Sequence, residues 1–181
     1  MATLIIHPFD KSTSFLDIVY KGIEDKTVIT GGVTVDELNE LIESHDRVMM
    51  MGHGCPTGLF SVGMFPDARG LIINHDTVPL LKKKDNSVFI WCNADKFVEY
   101  HDLQGFYSGM FISEVGEAEY CRVFGTDQEI VDESNYGFVN IIAKYINEDK
   151  NVIYESVKQE YGLIAESNPV AFYNNNRLYK S

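Results

Sequence analysis

A histidine and a cysteine follow two of the most apolar runs in this sequence. His53 comes just after Val48–Met51, and Cys92 ends the run that begins at Ser87. Continuous apolar runs of this kind are typical of strands that are covered on both faces of a sheet. The ends of neighbouring strands lie about 4.8 Å apart at the backbone, so side chains that follow them can meet above the sheet. We therefore expect His53 and Cys92 to form a pair.

Such a pair has the chemistry of a nucleophile and its base. A thiol with an ordinary pKa near 8.5 is mostly protonated at neutral pH, and an adjacent imidazole can accept the proton to form the nucleophilic thiolate. Gly52 and Gly54 allow the backbone to turn sharply around His53. The backbone N–H groups of Gly54 and Cys92 are the expected donors to a developing oxyanion. The alternative is that Cys92 is a small buried hydrophobe and His53 a hydrogen-bonded loop residue.

Further polar residues lie near predicted strand ends, where ligands bind in open α/β sheets. We expect a substrate pocket that includes His7, Asn93, Asp95, Ser113 and Glu114. For two of these residues the sequence leaves alternatives open. Asp95 either orients His53 or caps the helix that follows it. His7 either lines the pocket or belongs to a structural turn at Pro8.

Metal and cofactor chemistry has less support. His53, Cys55 and Cys92 are all possible zinc ligands, but the sequence has neither the C-x-x-C nor the H-E-x-x-H spacing. No G-x-G-x-x-G motif follows a predicted strand, and the glycine pair Gly31-Gly32 lacks the lysine of a phosphate-binding loop. We therefore expect no metal and no cofactor.

The composition predicts one acidic globular domain over residues 1–181. Fifteen Lys and Arg residues stand against 27 Asp and Glu, which gives a formal net charge of −12. Phosphate backbones and anionic lipids repel such a chain, so neither nucleic acid nor a membrane is an expected partner. Three cysteines without a framework spacing favour reduced thiols. No apolar stretch at the N-terminus is long enough for a secretory signal, so we expect a cytoplasmic protein.

Apolar runs alternate with helical patterns along the chain. Strands are predicted at Leu4–Ile6, Thr27–Thr30, Val48–Met51, Ser87–Cys92 and Ser108–Val115, a hairpin at Leu59–Val62 with Leu71–Ile73, and a last edge strand from Ala171–Tyr173 and Leu178–Tyr179. Helices are predicted at Ser14–Tyr20, after a capping box formed by Thr34 and Glu37, at Pro79–Lys84, and twice within Ile130–Ser167. Strands separated by helices indicate right-handed crossovers. The prediction is a three-layer αβα sandwich with a mostly parallel sheet.

The segments Met49–Gly54 and Val88–Asn93, each a strand that leads to His53 or Cys92, resemble the caspase-like fold of cysteine peptidases. That group includes caspases, legumains, gingipains, separases and bacterial CHAT domains. Leu71–Leu81 resembles the hairpin and short helix that such proteins place between the two residues. Gly105–Val115 resembles the strand that lines their substrate groove. The resemblance covers roughly residues 1 to 125.

The resemblance implies a peptide or protein substrate that is cleaved through a thioester on Cys92, with His53 as general base and acid. It leaves the substrate residue before the cleaved bond open, although Glu114 and Glu117 favour a basic one. The family usually has a small residue before the nucleophile, where this chain has Trp91, and Ile90 is apolar at a position that often contacts substrate. These departures motivate the alternative of a catalytically inactive caspase-like module that acts in regulation or binds a protein partner.

Overall fold

Two sheets organise the protein, and the computed structural model describes every residue from Met1 to Ser181. The strands are β1 (Thr3–Ile6), β2 (Lys26–Ile29), β3 (Arg47–Met51), β4 (Gly54–Cys55), β5 (Gly58–Phe60), β6 (Leu71–Ile73), β7 (Ser87–Ile90), β8 (Gly105–Ser108) and β9 (Leu178–Lys180). The large sheet has six strands in the order β2-β1-β3-β7-β8-β9. Its first five strands are parallel, and only β9 runs antiparallel to its neighbour. Strands β4, β5 and β6 form a small antiparallel sheet.

Helices cover both faces of the large sheet. They are α1 (Asp17–Tyr20), α2 (Val35–Ser44), α3 (Val78–Leu81), α4 (Ala94–His101), α5 (Val115–Tyr120), α6 (Gln128–Tyr145), α7 (Lys150–Ala165) and α8 (Pro169–Asn175), and a 3₁₀ segment at Lys11–Leu16 leads into α1. The capping box at the start of α2 is present as predicted, with the Thr34 hydroxyl accepting from the Glu37 N–H. None of these helices combines the length and apolar character needed to cross a membrane.

Alternate residues of strands β1, β3, β7 and β8 enter two different hydrophobic cores. Met49 and Met51 of β3 pack in one core with residues of α1, α6 and α7, while Val48 and Met50 pack in the other with residues of α2, α3 and α4. Successive side chains of a strand point to opposite faces, so a strand buried on both faces must be apolar at every position. The predicted mixed α/β fold, with helices on both faces of a mostly parallel sheet, is confirmed.

The predicted strand Ser108–Val115 is wrong over most of its length. The strand is Gly105–Ser108, and α5 already begins at Val115. Gly105 allows β8 to approach β7, because a Cβ at that position would collide with the Ser87 carbonyl. After Ser108 the chain leaves the sheet, and a side chain replaces the strand neighbour at Ile112. The Asn174 amide accepts from the Ile112 N–H at 2.7 Å and donates to its carbonyl at 2.8 Å.

The C-terminal edge strand is also shorter than predicted. Only Leu178–Lys180 pairs with β8, and Ala171–Tyr173 belongs to helix α8. That helix begins at Pro169, and the Asn168 side chain accepts from the N–H groups of Val170 and Ala171. Proline at the first helical position after an asparagine cap starts a helix, because its missing N–H would have no partner there.

Candidate active site

His53 and Cys92 follow adjacent parallel strands at the same height. Strand β3 pairs with β7 in the register Met51 to Ile90, and the Gly52 N–H donates to the Ile90 carbonyl at 3.0 Å. Two further residues along each chain lead to His53 and to Cys92. Both residues line one cavity of about 20 Å³. The topology therefore brings the imidazole and the thiol to one edge of the sheet, each half-buried.

The imidazole of His53 is held by a serine and an aspartate from the segment after β1. The Ser12 hydroxyl lies 2.7 Å from His53 Nε2 and donates to Asp10 Oδ1, also at 2.7 Å. A hydroxyl has one proton, so Ser12 must accept from the Nε2–H of His53. When the imidazole is neutral, the other ring nitrogen, Nδ1, carries the lone pair. The chain Asp10–Ser12–His53 thus selects the tautomer in which Nδ1 is the base.

Hydrogen bonds from Ser12 favour the ionised form of the Asp10 carboxyl, which ends this chain. Asp10 caps the 3₁₀ segment and accepts from the Ser12 N–H at 2.8 Å as well as from its hydroxyl. These two bonds, with the nearby His53, lower the pKa of the Asp10 carboxyl. Neither residue was among the predicted site residues. The sequence signal for them is an Asp-x-Ser cap shortly after β1, the strand that neighbours β3.

The thiol of Cys92 is protonated and hydrogen-bonded in this conformation. Its Sγ lies 3.4 Å from the Phe111 carbonyl and 3.8 Å from Glu117 Oε1. Burial, and after it the negative charge of Glu117, raise the pKa of Cys92 to about 12. Thiols activated for catalysis have a lowered pKa, so the Cys92 thiol is not activated in this conformation.

Glu117 is itself fixed by the backbone at the start of α5. Its Oε2 accepts from the Ser113 N–H at 2.7 Å, from the Ser113 hydroxyl at 3.0 Å and from the Glu114 N–H at 3.2 Å. With Oε2 occupied in this way, Oε1 remains beside the sulfur. The carboxylate therefore acts on Cys92 from a fixed position rather than as a mobile surface group.

Apolar side chains cover the cavity between His53 and Cys92. Phe15 and Leu16 of the 3₁₀ segment and Phe111 of the loop after β8 contribute to its walls. A cavity needs roughly 10–15 Å³ to hold one water molecule, so about 20 Å³ gives room for a single water. A peptide group is larger than this cavity, so a substrate that enters it must displace one of these walls.

No protein-family model and no curated protein matches this chain. The assignment of the site therefore depends on its geometry.

Trp91, which precedes the cysteine, supports the loop that carries His53. Its indole packs in the core with Phe89 and Phe97, and its N–H donates to the Cys55 carbonyl at 3.1 Å. Gly54 lies against this ring, because a Cβ there would come within 2.6 Å of Trp91 Cγ. The large side chain at position 91 is therefore accommodated in the core with Phe89 and Phe97, and its hydrogen bond fixes the loop after His53.

The expected substrate pocket is only partly assembled. Ser113 lines the cavity shared by His53 and Cys92, and Glu114 lines a neighbouring one. His7 does not line either cavity. It is buried, with Nδ1 3.0 Å from the Tyr20 hydroxyl and Nε2 3.2 Å from Thr13 Oγ1, and burial lowers its pKa. It contacts these two hydroxyls after β1 and lines a separate cavity together with Asp17.

Asn93 and Asp95 also lie outside the cavity. Asn93 precedes α4 with a φ of 65° and packs its amide against Met110. Asp95 is not the cap of α4 but lies within it, buried, with Oδ2 3.3 Å from Lys96 Nζ. It does not contact His53, whose partner is Ser12. No group of three or more His, Cys, Asp and Glu side chains is arranged to hold a metal ion.

Proposed function

We propose that this chain is a cysteine peptidase of the caspase-like type, with Cys92 as nucleophile and His53 as general base and acid. One observation carries the proposal: His53 and Cys92 follow neighbouring parallel strands in register and line the same cavity. The orientation of His53 by Ser12 and Asp10 is a second support, because a base needs a fixed tautomer to accept a proton from a thiol.

The reaction uses groups that this geometry supplies. His53 Nδ1 takes the Cys92 proton, the sulfur forms a bond to the substrate carbonyl carbon, and the carbonyl oxygen becomes an oxyanion. The N–H of Cys92 has no backbone acceptor, which leaves it free to bind the oxyanion together with the N–H of Gly54. The C–N bond then breaks as His53 returns the proton to the leaving amine. Water, deprotonated by His53, hydrolyses the thioester and restores the thiol.

Catalysis requires a change from the covered conformation. Substrate must displace the wall formed by Phe15 or Phe111, and the thiol must leave the Phe111 carbonyl to meet His53. Binding energy of a peptide along the sheet edge supplies this displacement. Opening also brings water to Cys92, which removes the main cause of its raised pKa.

A second candidate is a non-catalytic module with the same architecture, which binds a protein partner. It is favoured by two features of the resting site: the cavity of about 20 Å³ and the Cys92 pKa of about 12. In that function His53 and Cys92 catalyse no reaction, and the surface around them binds the protein partner.

Peptide-library profiling separates the two functions. We expect turnover by the native protein and by Cys55→Ala, a control that removes a half-exposed thiol outside the pair. We expect none by Cys92→Ala or His53→Ala. An acyloxymethylketone probe should alkylate Cys92 in the native protein and not in the His53→Ala variant. If neither turnover nor a Cys92 adduct is found, the peptidase proposal fails and the binding module takes its place.

A further inference from the structure

A cavity of about 580 Å³ lies beside β2, the edge strand of the large sheet, and shares no lining residue with the cavity of the candidate active site. Alternate side chains of a strand point to the same face, and Lys26, Val28 and Thr30 line the cavity from β2. Asp17 and Lys21, one helical turn apart, line it from the facing side. Small-molecule sites have volumes of roughly 300–1,000 Å³, so this β2 cavity is large enough to hold a ligand.

Part of the β2 cavity is apolar and faces solvent. Phe9 is 64% exposed and Val28 is 38% exposed, and Ile18 adds a third apolar side chain to the lining. A ligand with an apolar side chain of its own would remove this surface from water, which favours binding.

Two carboxylates of the β2 cavity have an oxygen available for a ligand. Asp10 accepts both hydrogen bonds from Ser12 at Oδ1, and Asp17 accepts the Tyr20 hydroxyl at Oδ1. These bonds orient the carboxylates and leave Oδ2 of each to accept from another donor. Charge-assisted hydrogen bonds from an ammonium group are stronger than those from a neutral donor, so an ammonium fits this part of the cavity.

Two lysines supply the opposite charge in the same cavity. Lysine forms ion pairs with carboxylates at four other positions, Lys83, Lys96, Lys144 and Lys180. Lys21 is exposed, and Lys26 Nζ donates to the carbonyls of Lys21 and Ile23. An ammonium has three donors, so Lys26 keeps one for a ligand. In a chain of net charge −12, these two cations are suited to a carboxylate that the ligand provides.

The spacing of the two kinds of charge sets the length of the ligand. Asp17 and Lys21 are one helical turn apart, about 6 Å along the axis. Lys26 and Thr30 are four strand residues apart, about 13 Å, and the chain just before Asp10 pairs with the Thr30 carbonyl. An extended peptide spans about 3.3 Å per residue, so the termini of two to four residues are separated by similar distances.

We propose that the β2 cavity is a second binding site, for a peptide of two to four residues with both termini free. Asp10 and Asp17 bind its ammonium group, and Lys21 and Lys26 bind its carboxylate. An apolar side chain of the peptide covers the exposed apolar part of the lining. Through Asp10 the bound peptide also acts on the hydrogen bonds that orient His53. The binding site does not depend on the proposed peptidase function.

A titration with three related peptides tests the site. Alanyl-leucyl-alanine, its N-acetyl derivative and its C-terminal amide are added separately to ¹⁵N-labelled Cys92→Ala protein, which forms no thioester. We expect the backbone amides of Lys21 and Val28 to shift with the free tripeptide, and each derivative to bind about fivefold more weakly, because it loses one charged contact. Equal affinities of the three peptides, or no shift with any of them, would overturn the site and leave the peptidase proposal standing.

Charge variants assign each terminus to its partner. Asp17→Asn keeps an oxygen for the Tyr20 hydroxyl and should weaken the free tripeptide about fivefold but not the N-acetyl derivative. Lys21→Gln should weaken the free tripeptide but not the amide. Glu24→Gln and Lys11→Gln remove exposed charges outside the β2 cavity and should change none of the affinities. Unchanged binding of the free tripeptide in both cavity variants would overturn the assignment of the site.

The connection to His53 has its own test. The Ser12 hydroxyl links Asp10 Oδ1 to His53 Nε2 and does not line the β2 cavity. Adding Ser12→Ala to the Cys92→Ala protein should therefore preserve the affinity for the tripeptide. We expect the tripeptide to shift the ring signals of His53 in Cys92→Ala protein and not in the double variant. Ring signals that shift in both proteins, or in neither, would refute the connection and leave the binding site standing.

Discussion

At the scale of single residues, hydrogen-bond partners determine the orientation of His53 and the protonation of Cys92. His53 is held by Ser12 in an orientation that suits a base, while Cys92 is held by Phe111 and Glu117 in a protonated form. The apolar run before each residue predicts that His53 and Cys92 lie together at one edge of the sheet, and the structure brings them together there. Their partners do not follow from the sequence, because Ser12 and Glu117 lie on other elements and no local pattern places them beside the pair.

The charge of Glu117 gives the first prediction. Glu117→Gln removes a negative charge 3.8 Å from the sulfur while keeping an oxygen for the Ser113 N–H. The thiolate is then less disfavoured, so the Cys92 pKa falls and iodoacetamide labels Cys92 about threefold to tenfold faster at a given pH. The labelling rate of the native protein should rise about tenfold per pH unit through the mildly alkaline range without a plateau, because the pKa is about 12.

Glu119→Gln is the matched control for this experiment. It removes a charge from the same helix at an exposed position that does not contact the sulfur. It should leave the rate at Cys92 unchanged. Equal rates in the Glu117 variant and the native protein would mean that burial alone keeps the thiol protonated.

At the scale of elements, the fold was predictable where burial fixes the pattern and not where a side chain replaces a backbone partner. Strands β1, β3 and β7 are apolar at almost every position because both faces are covered, and the sequence predicted all three. The loop from Gly109 to Glu114 has a similar apolar sequence, yet it is no strand. Its Ile112 is paired with the Asn174 side chain, a contact between distant residues that no local pattern encodes.

Asn174 accordingly links the C-terminal helix to the site. Asn174→Ala leaves the N–H and carbonyl of buried Ile112 unpaired, so we expect the free energy of unfolding to fall by about 2–4 kcal/mol. The loop that carries the Phe111 carbonyl also loosens, so Cys92 should be labelled faster in the folded protein. Urea unfolding measures the first effect and labelling at low urea the second. Asn140→Ala, exposed on α6, is the control and should change little.

At the scale of the whole molecule, the candidate site lies at one end of the large sheet and a buried structural arginine lies at the other. The carboxyl ends of β3 and β7 carry His53 and Cys92, whereas the opposite end of β3 begins with a fully buried arginine. Arg47 donates from Nε to the Asn86 carbonyl at 2.7 Å and from Nη1 to the Ile146 carbonyl at 2.5 Å. It thus joins β3 to the turn before β7 and to the end of α6. Burial lowers the pKa of the guanidinium to about 10, so it remains charged at neutral pH.

This arrangement predicts that a substitution at Arg47 lowers the stability of the fold without changing the reactivity of Cys92. Arg47→Ala leaves two carbonyls without donors and a cavity in the interior, so the free energy of unfolding should fall by about 3–5 kcal/mol. The substitution lies at the other end of β3 from His53, so the labelling rate of Cys92 in the folded protein should not change. Arg69→Ala, at an exposed arginine, is the control and should preserve stability. If Arg47→Ala and the native protein unfold at the same urea concentration, the two carbonyls must accept hydrogen bonds from water in the variant. Faster Cys92 labelling in folded Arg47→Ala would show that the two ends of the sheet are coupled.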